Sequence, residues 1–434
     1  VATATAAAFT WRERLFRWGP ALRNPAFRLL WLSLLPGTLG MMMAVVAFGY
    51  VAYQLSGSTT ALAAVNVGWG VPMALLSPIA GVVADRFSRR TVLLVTQALV
   101  GLTAVAACLL VTSGSVQVWQ LMAVTFAQGT AFAFHMPARQ ALIAELVGPD
   151  DLPNALAISN AGLNFNRVAG PAIAGVLLTL PAVGPGGVFA LMAALYVVVL
   201  LALWRLPDSG WHGAPAAGAE GAEAALARVS GRPRTRARPG VLDQLGAGLS
   251  YIFGRADLRR LLLLAFLPLL FGMPYQALMP AVAAEVFQVE AAGLGALLTA
   301  NGLGALAGSL VVAGMMGTGV AARLFRLQYV SGLLFGVALM GFALVGAFVP
   351  ALALVAVVGG ASAAYSAVNS SLLMGQTPAA YHGRVMGVYM MTFAAMPLSS
   401  LPAAWVAEQV GLPATLAVCG ALSALVVALL GRRA

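Results

Sequence analysis

Arg167 stands inside a run of apolar residues, with Asn166 just before it and Gly170 and Pro171 one turn after it. A guanidinium at the centre of a membrane helix costs about 2.5–3.5 kcal/mol on insertion scales, so it turns toward a partner or a water-filled cavity, where it can hold an anion. The structural alternative is an arginine bonded to backbone carbonyls and to Asn164, fixing the shape of its helix. His135 is the second candidate, because imidazole gains and loses a proton near neutral pH; a packed histidine near a helix end is its alternative. Third is a charge cluster, Gly81, Asp85, Arg86, Arg89 and Arg90, with Arg139 and Glu145 further along. A carboxylate beside several guanidiniums at helix ends can form and release as a unit, which is the chemistry of a conformational latch.

Polar and aromatic residues recur at mid-depth along the apolar runs: Asn66, Trp69, Gln128, Phe132 and Asn164, then Tyr275, Gln276, Asn301, Tyr365, Asn369, Tyr389 and Phe393. Rings and amides of this kind, joined by the polarisable Met41 to Met43 and by Met390, Met391 and Met396, suit a cavity for amphiphilic small molecules. Helix packing is the alternative for each taken singly. The sequence has no nucleophile elbow, no phosphate-binding Gly-Lys-Ser/Thr loop and no metal-ligand spacing. An enzyme, a cofactor, a bound metal and ATP-driven chemistry are therefore not expected. Cys108 and Cys419 lie within apolar runs and read as small buried residues.

These residues must be positioned by elements that suit a bilayer. Of the 434 residues 61% are hydrophobic and only 9% charged, whereas soluble domains are about half apolar and a quarter charged. With roughly 20 apolar residues per crossing, the chain has room for about twelve helices. We place them near 27–54, 59–84, 91–112, 116–138, 153–180 and 186–204, then 259–284, 291–314, 327–347, 351–375, 384–408 and 412–431. The expected fold is an all-α membrane protein with twelve transmembrane helices in two six-helix bundles, residues 1–204 and 259–434. Residues 205–258 form a cytoplasmic linker, whose 241–255 stretch has the spacing of an amphipathic surface helix. The first apolar run follows a basic stretch and extends past signal length, so the first helix is expected to stay.

The net charge of +11 comes from 24 basic residues, all arginine. They cluster in alternate connections, while the connections near 56–60, 113–117, 181–187 and 348–351 carry none. That alternation points to a membrane surface and not to nucleic acid. The positive-inside rule puts both termini in the cytoplasm of a bacterial inner membrane. A polar turn, a small-residue helix and a basic loop at Gly57 to Arg90 recur, eroded, at Glu290 to Arg326. Such an internal repeat predicts a substrate site at mid-membrane between two related bundles. Gly293, Gly295, Gly302, Gly304 and Gly308 predict close helix packing in the second half.

The loop Gly81-Val-Val-Ala-Asp85-Arg86-Phe-Ser88-Arg89-Arg90 resembles the cytoplasmic loop signature of the major facilitator superfamily. Ser88 stands where the family usually has glycine, and a left-handed turn there would be less comfortable for it. Asn166-Arg167-Val-Ala-Gly170-Pro171-Ala-Ile-Ala174-Gly175 resembles the antiporter motif, a Gly-Pro kink among small residues. Pro137 to Asn154 and Gly383 to Tyr389 are similar to the drug-exporter branch that includes macrolide efflux proteins and the enterobactin exporter. The resemblance implies a secondary exporter of amphiphilic small molecules, multidrug in type, working by alternating access with proton antiport, as a monomer in the lipid bilayer. Thr125 stands where many proton-coupled exporters carry arginine, and no carboxylate lies at mid-depth; Asp85, Glu145, Glu285 and Glu408 are the nearest. With Arg167 at mid-depth, neutral or anionic substrates are expected over cations. Two other readings remain: a dedicated exporter of a siderophore or another single metabolite, and a non-transporting receptor or lipid scramblase on the same fold.

Overall fold

The computed structural model describes residues 20–206, 250–315, 321–378 and 382–431. Among these the secondary structure is helical throughout. A 3₁₀ turn at Pro20–Arg23 leads into α1 (Pro25–Ser56), α2 (Thr59–Arg86), α3 (Arg89–Thr112), α4 (Val118–Thr179) and α5 (Gly184–Trp204). The second half contains α6 (Ala256–Gly272), α7 (Pro274–Ala281) with a π-helical end at Val282–Val286, α8 (Ala291–Met315), α9 (Ala321–Leu344), α10 (Phe348–Gly375), α11 (His382–Val410) and α12 (Leu412–Gly431). Nine of these stretches are long and apolar enough to cross a membrane, counting α6, α7 and the π segment as one. The two arms of α4 and the 29-residue α11 are long enough as well.

Two expected helices are continuous with each other and one is broken. The fourth and fifth crossings run together as α4, whose only non-helical residue is Gly148 (φ 72, ψ 176), a geometry that glycine adopts without strain. We call 118–147 its first arm and 149–179 its second. The backbone through Gly170 and Pro171 keeps helical dihedrals. The seventh crossing, expected to be continuous over 259–284, is interrupted at Met273, where Pro274 cannot donate a helical N–H. The concern over Ser88 is removed: its φ of −60° is extended and not left-handed, and its hydroxyl caps α3 by accepting from Thr91 N. A serine serves that position better than glycine. The 241–255 helix, the linker and the termini fall mostly outside the described residues.

Arginines at the basic end cap helices. Arg90 donates to the carbonyls of Leu203 and Trp204 at the end of α5, and Arg260 donates to Leu430 near the end of α12. Cationic side chains there satisfy orphan carbonyls and oppose the helix dipole.

α1 to α5 pack as one bundle and α6 to α12 as another; between them α2 meets α11, and the second arm of α4 meets α8. The α4–α8 crossing is backbone against backbone: a Cβ on Gly295 would lie 2.6 Å from Gly175 Cα. At the Arg-free end the bundles share one continuous apolar core, containing Met43, Leu62, Tyr275 and Leu297. At the basic end each has its own, one around Phe27, Leu142 and Leu203 and the other around Leu261, Val368 and Tyr389. Several interbundle hydrogen bonds sit at the Arg-free end. Tyr53 donates to Glu285, Ser58 and Thr60 donate to Glu408, and Thr59 Oγ1 donates to Ala404 O at 2.9 Å. The described contacts close the molecule at one end.

Candidate functional site

The first arm of α4 carries Gln128, Phe132, His135 and Arg139 at spacings of four, three and four, which place them on one helical stripe. All four line a cavity of about 180 Å³ inside the N-terminal bundle. α2 adds Trp69, whose ring lies 5.3 Å from that of Phe132, and Phe132 lies 6.5 Å from His135. α1 contributes Met41 and Met42, α3 Gln97, α5 Tyr196, and the second arm of α4 Arg167. No carboxylate is among the lining residues. The walls are therefore aromatic and thioether surface, and the only formal charges on them are cationic.

Placement separates the two arginines. Arg167 is exposed and lines the cavity. Arg139 is only 7% exposed, and among the described residues it has no hydrogen-bond or ion-pair partner. Sequence grouping puts Arg139 with the loop cluster, whereas the fold turns it into the cavity. His135 Nδ1 is likewise buried without a partner. Gln128 is anchored, donating to Thr103 Oγ1 at 3.1 Å.

Arg167 is also tied to the interbundle seam through its backbone. Pro171 lacks the N–H that would bond the Arg167 carbonyl four residues earlier. That oxygen faces α8, where a Cβ on Gly302 would sit 2.8 Å from it. One residue earlier, Asn166 is 2% exposed and donates to Leu35 O at 2.8 Å and to Thr38 on α1. Gly170 lets α1 approach so closely that a Cβ there would meet Met42 Cβ at 2.4 Å.

The C-terminal candidates are used differently. Tyr275 is fully buried, and its hydroxyl accepts from Asn301 Nδ2 at 2.7 Å and from Gln276 Nε2 at 3.2 Å. Tyr365 donates to Leu264 O, the carbonyl left without a helical donor by Pro268. Asn369 donates to Leu261 O at 3.3 Å and Tyr389 to Ser366 O at 3.3 Å. These groups knit α6, α7, α8, α10 and α11 and do not line the N-terminal cavity. Asn66 donates to Leu62 O in its own helix, and Asn164 lies outside the cavity lining.

Of the latch residues, Arg89 pairs with Glu145 at 2.8 Å and also donates to Ala141 O, within one bundle. The side chains of Asp85 and Arg86, the surroundings of Gly81 and the side chain of Phe393 lie outside the described residues. Sequence reasoning missed Gln97 and Tyr196 in the cavity and the clasp formed by Tyr53, Ser58 and Thr60. Gln97, a lone amide in an apolar helix, was the available signal; the clasp had none, since its partners lie more than 200 residues away.

Comparison with known proteins agrees with this architecture. A family model described as transmembrane secretion effector matches residues 17–217. The chain is similar to the enterobactin exporter EntS of Escherichia coli O1:K1, 26% identical over 371 residues, covering 84% of this chain and 81% of the relative. Macrolide efflux protein A of Streptococcus pyogenes is 22% identical over 389 residues, with 85% and 87% covered. The MFS-type transporter YfiS of Bacillus subtilis matches at 26% over a shorter stretch, 36% of each chain. Among solved structures, a bacterial homologue of the human lysosomal transporter Spinster, inward-facing and unoccupied, superposes with a TM-score of 0.70 at 14% identity over 94% of this chain and 97% of that one. This chain has the helical two-bundle fold of multi-pass membrane transporters of the major facilitator type, and over more than four fifths of its length it is similar to exporters of that kind.

Proposed function

We propose that the protein is a secondary active exporter that moves amphiphilic small molecules, neutral or anionic, out of the cytoplasm by alternating access. The observation that carries this reading is the N-terminal cavity, with aromatic and methionine walls, two arginines and no carboxylate. Such a site solvates an apolar body and an electronegative group together but leaves a cation without a partner. Similarity to a siderophore exporter and a macrolide efflux protein over more than four fifths of the chain supports the outward direction. With the Arg-rich end in the cytoplasm, closure at the opposite end corresponds to an inward-facing state, ready to load substrate. The bundles, 1–204 and 259–434, rock about the α2–α11 and α4–α8 contacts, with 205–258 as a cytoplasmic linker and both termini inside.

Inward proton flow is the proposed drive, with His135 as a carrier on the cavity wall. The cluster around Asp85 is the cytoplasmic latch: Asp85→Asn should impair transport and spare insertion, and unchanged transport in a well-folded variant would remove that role. Purified protein in liposomes tests the whole reading. Accumulation of neutral or anionic amphiphiles against a gradient, dependent on an imposed pH difference, is the expected result. Transport of lipophilic cations in preference to anions, or no uphill transport, would overturn it. The resemblance to an exporter of one siderophore favours a second reading, a narrow substrate range, which competition among unrelated amphiphiles would reveal.

A further inference from the structure

Within the N-terminal cavity we infer a built subsite for a single aromatic ring bearing an oxyanion, such as an aryl carboxylate, with Arg139 as its charge partner. The inference deepens the substrate-cavity reading above and rests on it. Arg139 is more than nine-tenths buried, lines the cavity and has no hydrogen-bond or ion-pair partner among the described residues. A desolvated guanidinium is costly unless an anion meets it, and its planar fork matches a carboxylate. One turn earlier on the same stripe, His135 Nδ1 is buried without a partner and can share a proton with the same oxyanion.

The rest of the cavity specifies what the anion is attached to. Phe132 and Trp69 stand beside this polar end with their rings 5.3 Å apart. A volume of about 180 Å³ is in the range of a cavity that holds one benzene ring, about 150 Å³. Since no lining residue carries negative charge, the occupant must bring it. Arg167, the more exposed of the two lining arginines, would draw the anion in, and the buried Arg139 would hold it.

Benzoate is the probe, titrated calorimetrically into the full chain in phosphatidylcholine nanodiscs, with benzamide, benzylamine and inorganic phosphate as controls. Benzoate should bind, whereas the neutral amide, the cation and the ringless anion should bind at least about tenfold more weakly. Arg139→Gln should weaken benzoate about tenfold or more and Arg139→Lys less, because lysine keeps the charge without the fork. Equal binding of benzamide, or unchanged benzoate affinity in folded Arg139→Gln, would overturn the subsite. Equal binding of phosphate, or displacement of benzoate by added phosphatidylglycerol, would make it a general anion or lipid-headgroup site and overturn it too. Should Arg139→Gln not fold, illumination of the wild type with 4-azidobenzoate decides: label on the 118–147 arm supports the subsite, and label confined elsewhere defeats it. Export of neutral amphiphiles without benzoate binding would defeat this inference alone. Benzoate binding without uphill transport would defeat the transport reading and leave the site.

Discussion

His135 on α4 and Tyr365 on α10 are both polar rings within long apolar helices, one in each bundle. Tyr365 is fully buried and donates to the Leu264 carbonyl that Pro268 leaves open, so its hydroxyl completes the backbone accounting of a neighbouring helix. His135 faces a cavity, and its Nδ1 has no partner among the described residues. The contrast extends to their neighbours. Gln276 and Asn301 both donate to Tyr275, whereas Arg139 and Arg167 have no counter-charge among the described residues, in a cavity whose lining has no carboxylate. The C-terminal candidates bond mostly within their own bundle, whereas His135 Nδ1, Arg139 and Arg167 in the N-terminal bundle have no partner among the described residues.

The strongest test of that contrast is Arg167. Arg167→Gln should lower transport by about tenfold or more, with Arg167→Lys intermediate, while both variants insert and stay monodisperse. Transport rates in liposomes beside size-exclusion profiles check this; wild-type rates in both would make the residue structural. Next in size is the seam. A side chain at Gly302 meets the Arg167 carbonyl at 2.8 Å, so Gly302→Val should cost about 1–3 kcal/mol by overpacking and reduce transport. Lost thermal stability with full activity would uncouple α8 from Arg167.

A smaller effect is expected inside the C-terminal bundle. Asn369 is fully buried, makes one long hydrogen bond, and its Oδ1 has no partner among the described residues. Asn369→Leu removes an incompletely satisfied amide, so melting temperature should hold or rise and transport should stay within about twofold. A large loss of transport at normal stability would show that the C-terminal polar groups belong to the substrate path. Smallest is the clasp. Tyr53→Phe and Glu408→Gln each remove contacts at the exposed end, worth about 0–1 kcal/mol. Spin-label distances across the Arg-free ends should broaden modestly toward the open state; a complete shift would make the clasp the main determinant of closure.

Much of the fold is legible in the sequence because a bilayer imposes a simple rule. Apolar runs must become helices that satisfy their own backbone groups, so ten of the expected crossings appear near their expected ends as separate helices or helix pieces. The two departures both concern connections. Gly148 is a one-residue turn too short to register as a loop, and Pro274 interrupts a run whose hydropathy gives no sign of a break. Candidate site residues were harder to rank. Gln128, Phe132, His135 and Arg139 do share a helical stripe in the sequence, yet the same is true of many residues that merely pack.

Membrane residence and helical class follow from the sequence alone, since each depends on local composition. Which polar side chains remain unsatisfied depends on partners far away in sequence. Asn301 finds Tyr275 across 26 residues, Tyr365 finds Leu264 across 101, and Tyr53 finds Glu285 across 232. Arg139 finds none among the described residues. The difference between a spent polar group and an available one is set by whether a donor or acceptor from another helix arrives within about 3 Å, and only the packing of the helices decides that.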